Sequence, residues 1–256
     1  MSIPVIRSQS KGSGRPLVLL HAFPLSHRIW DYIQAPEGFR LVLPDFPGFG
    51  LSPLTPHGLT LEEAATGLRN HLEESRLKEP VLLGGISMGG YWAMEFVRQF
   101  PGSVQDLILI STRPGVDKPE NRQKRLEIAD KVEKEGTGFL IDSMVPGLLG
   151  ETTRETKPEV VEAVSQWIRE TPPVAVALAQ RAMANRRDQT DLLAQVKNRA
   201  LVMAGLEDTL IPASEAEAMA KVLPNARLKL FQTAGHLIPL EIPGEFQKHM
   251  VEFLSR

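Results

Sequence analysis

Val81-Leu82-Leu83-Gly84-Gly85-Ile86-Ser87-Met88-Gly89-Gly90-Tyr91-Trp92-Ala93-Met94-Glu95-Phe96 decides how the rest of the chain is read. It opens with a short apolar run bounded by glycines, the pattern of a strand buried on both faces. From Met88 to Gln99 it continues as a helix. Between the two lies Gly85-Ile86-Ser87-Met88-Gly89, a GxSxG pattern. A serine at a tight strand-to-helix turn exposes its hydroxyl above the sheet, beside the start of a helix. The glycines two before and two after it keep side chains out of the crowded turn. Gly90 lets the helix begin close to the neighbouring strands. Ser87 is thus the candidate nucleophile.

Outward from this unit, short apolar runs alternate with amphipathic segments. Strands are expected at Leu17–His21, Leu41–Pro44, Val81–Gly84, Leu107–Ile110, Leu201–Ala204 and Leu228–Phe231. Thr60–Glu74 reads as a helix with Thr60 as cap and Glu63 three positions later, a capping box. Leu61, Ala64, Ala65, Leu68 and Leu72 form its apolar face. Further helices are expected from about Glu215 to Leu223 and over Glu245–Leu254. Such alternation, with apolar strands, predicts an α/β fold: a mostly parallel sheet flanked by helices. The strand series breaks between Ile110 and Leu201. Arg122–Lys134, Glu159–Arg169 and Pro173–Ala184 read as helices there. The expected organisation is a core of residues 1–113 and 188–256 with a helical cap of residues 114–187 inserted in it. Within the cap, Phe139, Leu140, Met144, Val145, Leu148, Leu149 and Trp167 either face a pocket or pack the insertion, and one sequence does not sort them.

Three further signals join Ser87. His21-Ala22-Phe23-Pro24 follows the strand LVLL, in a loop expected to face the serine turn. The backbone N–H of Phe23 and that of Met88 are the candidate oxyanion donors, with His21 holding the loop. Asp208 lies in Gly205-Leu206-Glu207-Asp208 after one late strand, and His236 in Ala234-Gly235-His236 after the next. Ligands of open parallel sheets bind on the side where such loops lie. The order Ser87, Asp208, His236 suits acyl transfer: His236 takes the serine proton, and Asp208 holds the imidazole tautomer. Glu207 is the rival carboxylate, expected to point away as a solvated charge.

Composition narrows the alternatives. The chain has 256 residues, is 42% hydrophobic and carries a net charge of -2, so no strong field draws it to nucleic acid or anionic lipid. It has no cysteine, hence no thiol nucleophile or thiolate metal site. The apolar runs are strand-length, far short of the ~20 residues of a bilayer span. The N-terminal stretch lacks an apolar signal core, so a cytoplasmic location is expected. His27, His57, His71 and His249 have no metal-ligand partner at useful spacing, with His27 and His57 expected near the pocket rim. No GxGxxG follows a strand and no phosphate-binding GxxxxGK[ST] occurs, so no cofactor is expected.

Together HAFP, Asp45-Phe46-Pro47-Gly48-Phe49-Gly50-Leu51-Ser52, GISMGG, GLEDTLIP and AGH resemble the α/β-hydrolase superfamily over nearly the whole chain. The DxPGxGxS run is typical of its small capped esterase, lactonase and cofactor-free haloperoxidase branch. The resemblance implies a serine carboxylic-ester hydrolase for small or medium acyl esters, with an acyl-enzyme on Ser87. An enol-lactonase, a carbon–carbon bond hydrolase gripping its carboxylate through Arg122, Arg125, Arg181, Arg186 or Arg187, and a receptor with slow turnover are the alternatives, although these arginines are otherwise expected on the solvated helix surface. Ala22 departs from the glycine many relatives carry. Pro24 is similar to the haloperoxidases and implies perhydrolysis as a side activity, or simply a stiff turn. Serine where relatives acting on haloalkanes or epoxides carry aspartate disfavours those reactions. The expected partners are a small ester or lactone and water, without nucleic acid or membrane; the oligomeric state stays open.

Overall fold

The computed structural model describes residues 3–55, 57–77 and 80–255. Seven strands form one sheet in the order β1-β3-β2-β4-β5-β6-β7. They are β1 (Ser8–Gly12), β2 (Arg15–Leu20), β3 (Phe39–Pro44), β4 (Val81–Ile86), β5 (Val104–Ile110), β6 (Arg199–Gly205) and β7 (Ala226–Phe231). β1 runs antiparallel to β3 and the other pairs are parallel. Every residue of β4 is buried, as expected of a central parallel strand covered on both faces.

Helices α1 (Leu61–Glu74), α2 (Met88–Gln99), α9 (Ala213–Val222), α10 (Ile238–Glu241) and α11 (Pro243–Leu254) belong to the core. α1 begins at Thr60 with both bonds of the capping box in place. Its five expected apolar residues are buried. Between β5 and β6 the chain makes only helices among the described residues: α3 (Pro119–Glu135), α4 (Phe139–Leu148), α5 (Glu151–Thr156), α6 (Pro158–Glu170), α7 (Pro173–Ala184) and α8 (Thr190–Leu193). These are the helical cap. α3 packs along α7, joined by Arg125 Nη1 to Gln180 Oε1 at 3.0 Å and by Arg181 to Glu133 at 2.7 Å.

The sequence reading lacked β1, α4, α5, α8 and α10. β1 is polar and half solvated because it lies on the sheet edge and needs only one partner. α4 carries Pro146 inside it, which removes a helical donor and hides the pattern.

Candidate active site

The cavity holding Ser87 has a volume of about 310 Å³. Ser87 enters it from the turn between β4 and α2 with φ 56° and ψ −115°, a left-handed backbone that serine seldom adopts. Such a backbone costs of order 1–3 kcal/mol and persists only where the surroundings over-determine it. Here they do. Ser87 N–H donates to the Ile110 carbonyl at 2.9 Å. The Ser87 carbonyl accepts from Gly90 N–H and from Thr112 Oγ1, each at 2.9 Å. A Cβ on Gly85 would strike the backbone of Gly89, and one on Gly89 would strike the Leu20 carbonyl, so α2 can start this close to β2 only with glycine at both places.

His236 and Phe23 line the same cavity. His236 is 1% exposed, and its Nδ1 lies 2.7 Å from Asp208 Oδ2. Asp208 Oδ1 accepts from the N–H groups of Leu210 and Ile211, both at 2.9 Å. The carboxylate is therefore fixed by the loop behind it. With Nδ1–H on Asp208, the Nε2 of a neutral His236 carries the lone pair. The structure thus brings Ser87, His236, Phe23 and Met88 to one end of the sheet, Asp208 directly behind the histidine. Met88 opens α2, where a helix N–H has no intrahelical acceptor.

Glu207 does point away from His236, but it is not a solvated charge. Its carboxylate reaches the cap and accepts from Thr152 N–H at 2.9 Å and from Thr152 Oγ1, closing the start of α5. Glu241 has a comparable place that sequence reasoning missed. It is 0% exposed, and it accepts from Gly235 N–H at 3.0 Å, Leu237 N–H at 2.9 Å and Gly150 N–H at 2.8 Å. It thereby grips both neighbours of His236 and the cap together. Burial pushes its carboxyl above the usual range, against the pull of those N–H groups.

His21 is fully buried beneath the Phe23 loop. Its Nε2 accepts from Phe46 N–H at 2.9 Å, so Nδ1 bears the proton and donates to the Ala22 carbonyl at 2.9 Å. Desolvation lowers its pKa, which fits this neutral, two-bonded state. Asp45, at the head of the DxPGxGxS run, accepts from His27 N–H at 2.6 Å, pairs with His27 Nδ1 at 2.7 Å and accepts from Leu51 N–H at 2.8 Å. His27 therefore belongs to that loop and lines a second cavity with Trp167 and Thr171, not the one at Ser87. His57 is exposed and away from both. The Pro24 carbonyl accepts from Thr171 Oγ1 at 2.9 Å, which ties this loop to the cap.

The cap covers the cavity with Met144, Leu148, Ile128 and Met183, and with Asp117, Asn121 and Arg125. Of the apolar cap residues in question, Met144 and Leu148 thus face the cavity, while Trp167 lies on the second one. The expected solvated arginines divide. Arg122 and Arg187 are exposed, and Arg181 pairs with acids of α3, whereas Arg125 lines the cavity and Arg186 is 6% exposed beside it. Arg113, which sequence reasoning passed over, also lines the cavity. Among the described residues no group of three or more acidic, histidine or cysteine side chains is placed to hold a metal ion, and no helix is long and apolar enough to cross a membrane.

A family model described as the alpha/beta hydrolase fold matches residues 15–243. A thermophilic esterase from Thermogutta terrifontis, solved with malate bound, is 37% identical and superposes with a TM-score of 0.95 over 98% of this chain and 93% of that one. A pimeloyl-[acyl-carrier protein] methyl ester esterase from Aromatoleum aromaticum is 29% identical over 90% of this chain and 94% of its own. A 2-hydroxy-6-oxo-6-phenylhexa-2,4-dienoate hydrolase from Comamonas testosteroni is 25% identical over 98% of this chain and 92% of its own.

Proposed function

Since this chain belongs to the α/β-hydrolase fold family, we propose that it is a serine hydrolase of carboxylic esters with small or medium acyl groups, working through an acyl-enzyme on Ser87. The observation that carries the reading is the Asp208–His236 pair at 2.7 Å, whose histidine lines the same cavity as Ser87. Neutral His236 takes the hydroxyl proton through Nε2 as Ser87 attacks the ester carbonyl. Asp208 keeps Nδ1 protonated and stabilises the imidazolium that forms. The oxyanion is received by the N–H groups of Phe23 and Met88, aided by the start of α2. His236 returns the proton to the leaving alcohol, then activates a water that frees the acid and restores Ser87.

A second reading, carbon–carbon bond hydrolysis, has the cavity arginines and the dienoate-hydrolase relative behind it. One experiment separates them. Initial rates are measured on p-nitrophenyl esters, simple lactones and a dienoate, together with labelling by a fluorophosphonate located by peptide mass spectrometry. The expected result is multiple turnover of the esters, label on Ser87, and loss of at least about 10³-fold in rate in Ser87→Ala. Label on another serine, or near-full activity in that variant, sinks the mechanism. Turnover of the dienoate alone favours the second reading, and a single turnover per molecule favours a receptor.

A further inference from the structure

The lining of the Ser87 cavity carries an excess of positive charge. Asp117 is the one carboxylate on it among the described lining residues, and three guanidinium groups converge there. Arg113 Nη2 donates to Oδ1 at 2.6 Å. Arg125 Nε and Arg186 Nη1 donate to Oδ2, both at 2.6 Å. Burial alone would raise the Asp117 pKa, but the bonds from Arg186 and Arg125 overcome it and hold the carboxyl far below the usual range. On the lining itself one negative charge, Asp117, thus faces two positive ones, Arg113 and Arg125, while Glu215 and Asp188 act on Arg113 and Arg186 from outside it.

The three arginines differ in what they have left to give. Arg186 spends both terminal nitrogens on Asp117 and on the carbonyls of Met183 and Gly115, and it stacks over Tyr91 at 4.3 Å. Its work is structural. Arg113 makes one bond, through Nη2, and retains Nη1, while its Nε, like that of Arg186, is buried without a partner among the described residues. Arg125 uses Nε and Nη1 and retains Nη2. Both line the cavity. A guanidinium carries five N–H donors in a planar fork that suits a carboxylate. Arg113 is also the residue after Thr112, whose hydroxyl holds the Ser87 carbonyl at 2.9 Å, so its position is tied to that of the serine.

The rest of the lining is largely apolar, with Ile128, Met144, Leu148 and Ile211 among it. The cavity therefore combines an acyl-transfer group, an apolar lining and a pair of guanidinium forks. We propose that the substrates it selects are esters bearing a carboxylate at the far end of a short aliphatic chain, half-esters of dicarboxylic acids, with Arg113 and Arg125 as the specificity-determining residues. This rests on the esterase reading above and adds the substrate class to it.

The test compares the monomethyl and dimethyl esters of glutaric and adipic acid on the wild-type protein at fixed ionic strength. The expected kcat/KM for the monoanion is about tenfold or more above that of its neutral diester, the worth of one good charge-assisted pair. Free glutarate inhibits competitively. Arg113→Gln and Arg125→Gln each bring the ratio toward one, and Arg113→Lys retains part of it. Lys124→Gln, which removes a positive charge from the exposed side of α3, leaves the ratio where it was. A wild-type ratio of one or less, with normal turnover of the diester, overturns the carboxylate site and leaves the esterase reading standing. If neither ester is turned over, calorimetric titration of glutarate into Ser87→Ala decides. Binding that Arg113→Gln abolishes upholds the site although the esterase reading has failed, and no binding overturns it. Inhibition by inorganic phosphate as strong as by glutarate overturns the assignment to a carboxylate.

Discussion

The loops at the ends of β4, β6 and β7 and the helices of the cap meet across one cavity but are built to different tolerances. On the sheet side each polar group is over-determined. Ser87 is held by three backbone or hydroxyl contacts, Asp208 by two N–H groups, and the His236 loop by a fully buried glutamate. On the cap side, Met144, Ile128 and Arg125 are only partly buried, and α3 shows two buried residues along its whole length. The groups that must be in register with one another thus rest on buried parallel strands. Most of the groups that decide what fits rest on a helical insertion whose cavity side chains are less completely buried, with Arg113, just after β5, as the exception. Glu207 and Glu241 are the seams, since both reach from the sheet loops to residues 150–152 of the cap.

The sharpest way to break this comparison is at the carboxylate behind His236. Asp208→Asn is expected to lower kcat/KM on one ester by about 10³–10⁴-fold through the wrong imidazole tautomer, with the fold intact by circular dichroism. Glu207→Gln, one residue away, is expected to leave kcat close to wild type and to cost up to about 1 kcal/mol of stability by loosening the start of α5. A larger rate loss for the Glu207 variant would reverse the assignment.

Glu241→Gln probes the seam. An amide presents only one acceptor oxygen, and its NH₂ then faces a backbone N–H in a dry site. The expected loss is about 2–3 kcal/mol in urea unfolding, accompanied by a lower kcat as the His236 loop relaxes. An unchanged midpoint would show that the three N–H groups find other partners.

The smallest effect belongs to the cap. Met144→Ala should raise KM by up to about tenfold for longer acyl chains. Its stability loss should stay within about 1 kcal/mol, because the side chain is half-buried. A kcat loss as deep as that of Asp208→Asn would mean that the cap takes part in the chemistry and that the division drawn here is false.

Much of the scaffold was legible because its physics is local. The five parallel strands from β2 to β6 read as unbroken apolar runs since both faces are covered. Thr60 and Glu63 announced α1 through bonds three residues apart, and both bonds are present. β1 was not legible, because Ser8–Gly12 is an edge strand whose pairing with β3 is a tertiary fact. α4 was not legible because Pro146 and the adjacent Gly147 speak against a helix that packing nevertheless holds. The arginines of the cap look solvated in the sequence, which holds for Arg122 and Arg187 and fails for Arg125 and Arg186.

By itself the sequence determined the order of the six parallel strands and the main core helices, the tight turn at Ser87, and which carboxylate and histidine follow the late strands. Each of these depends on residues adjacent in the chain, where turn sterics and burial patterns act. Tertiary structure alone decided what gathers around Asp117 and at the seams. Arg113, Asp117, Arg125 and Arg186 converge from β5's following loop, α3 and the end of α7, and Glu241 meets Gly150 across the cap boundary. A charged side chain looks solvated in any linear reading, because burial is worthwhile only with a partner, and the partner is distant in sequence.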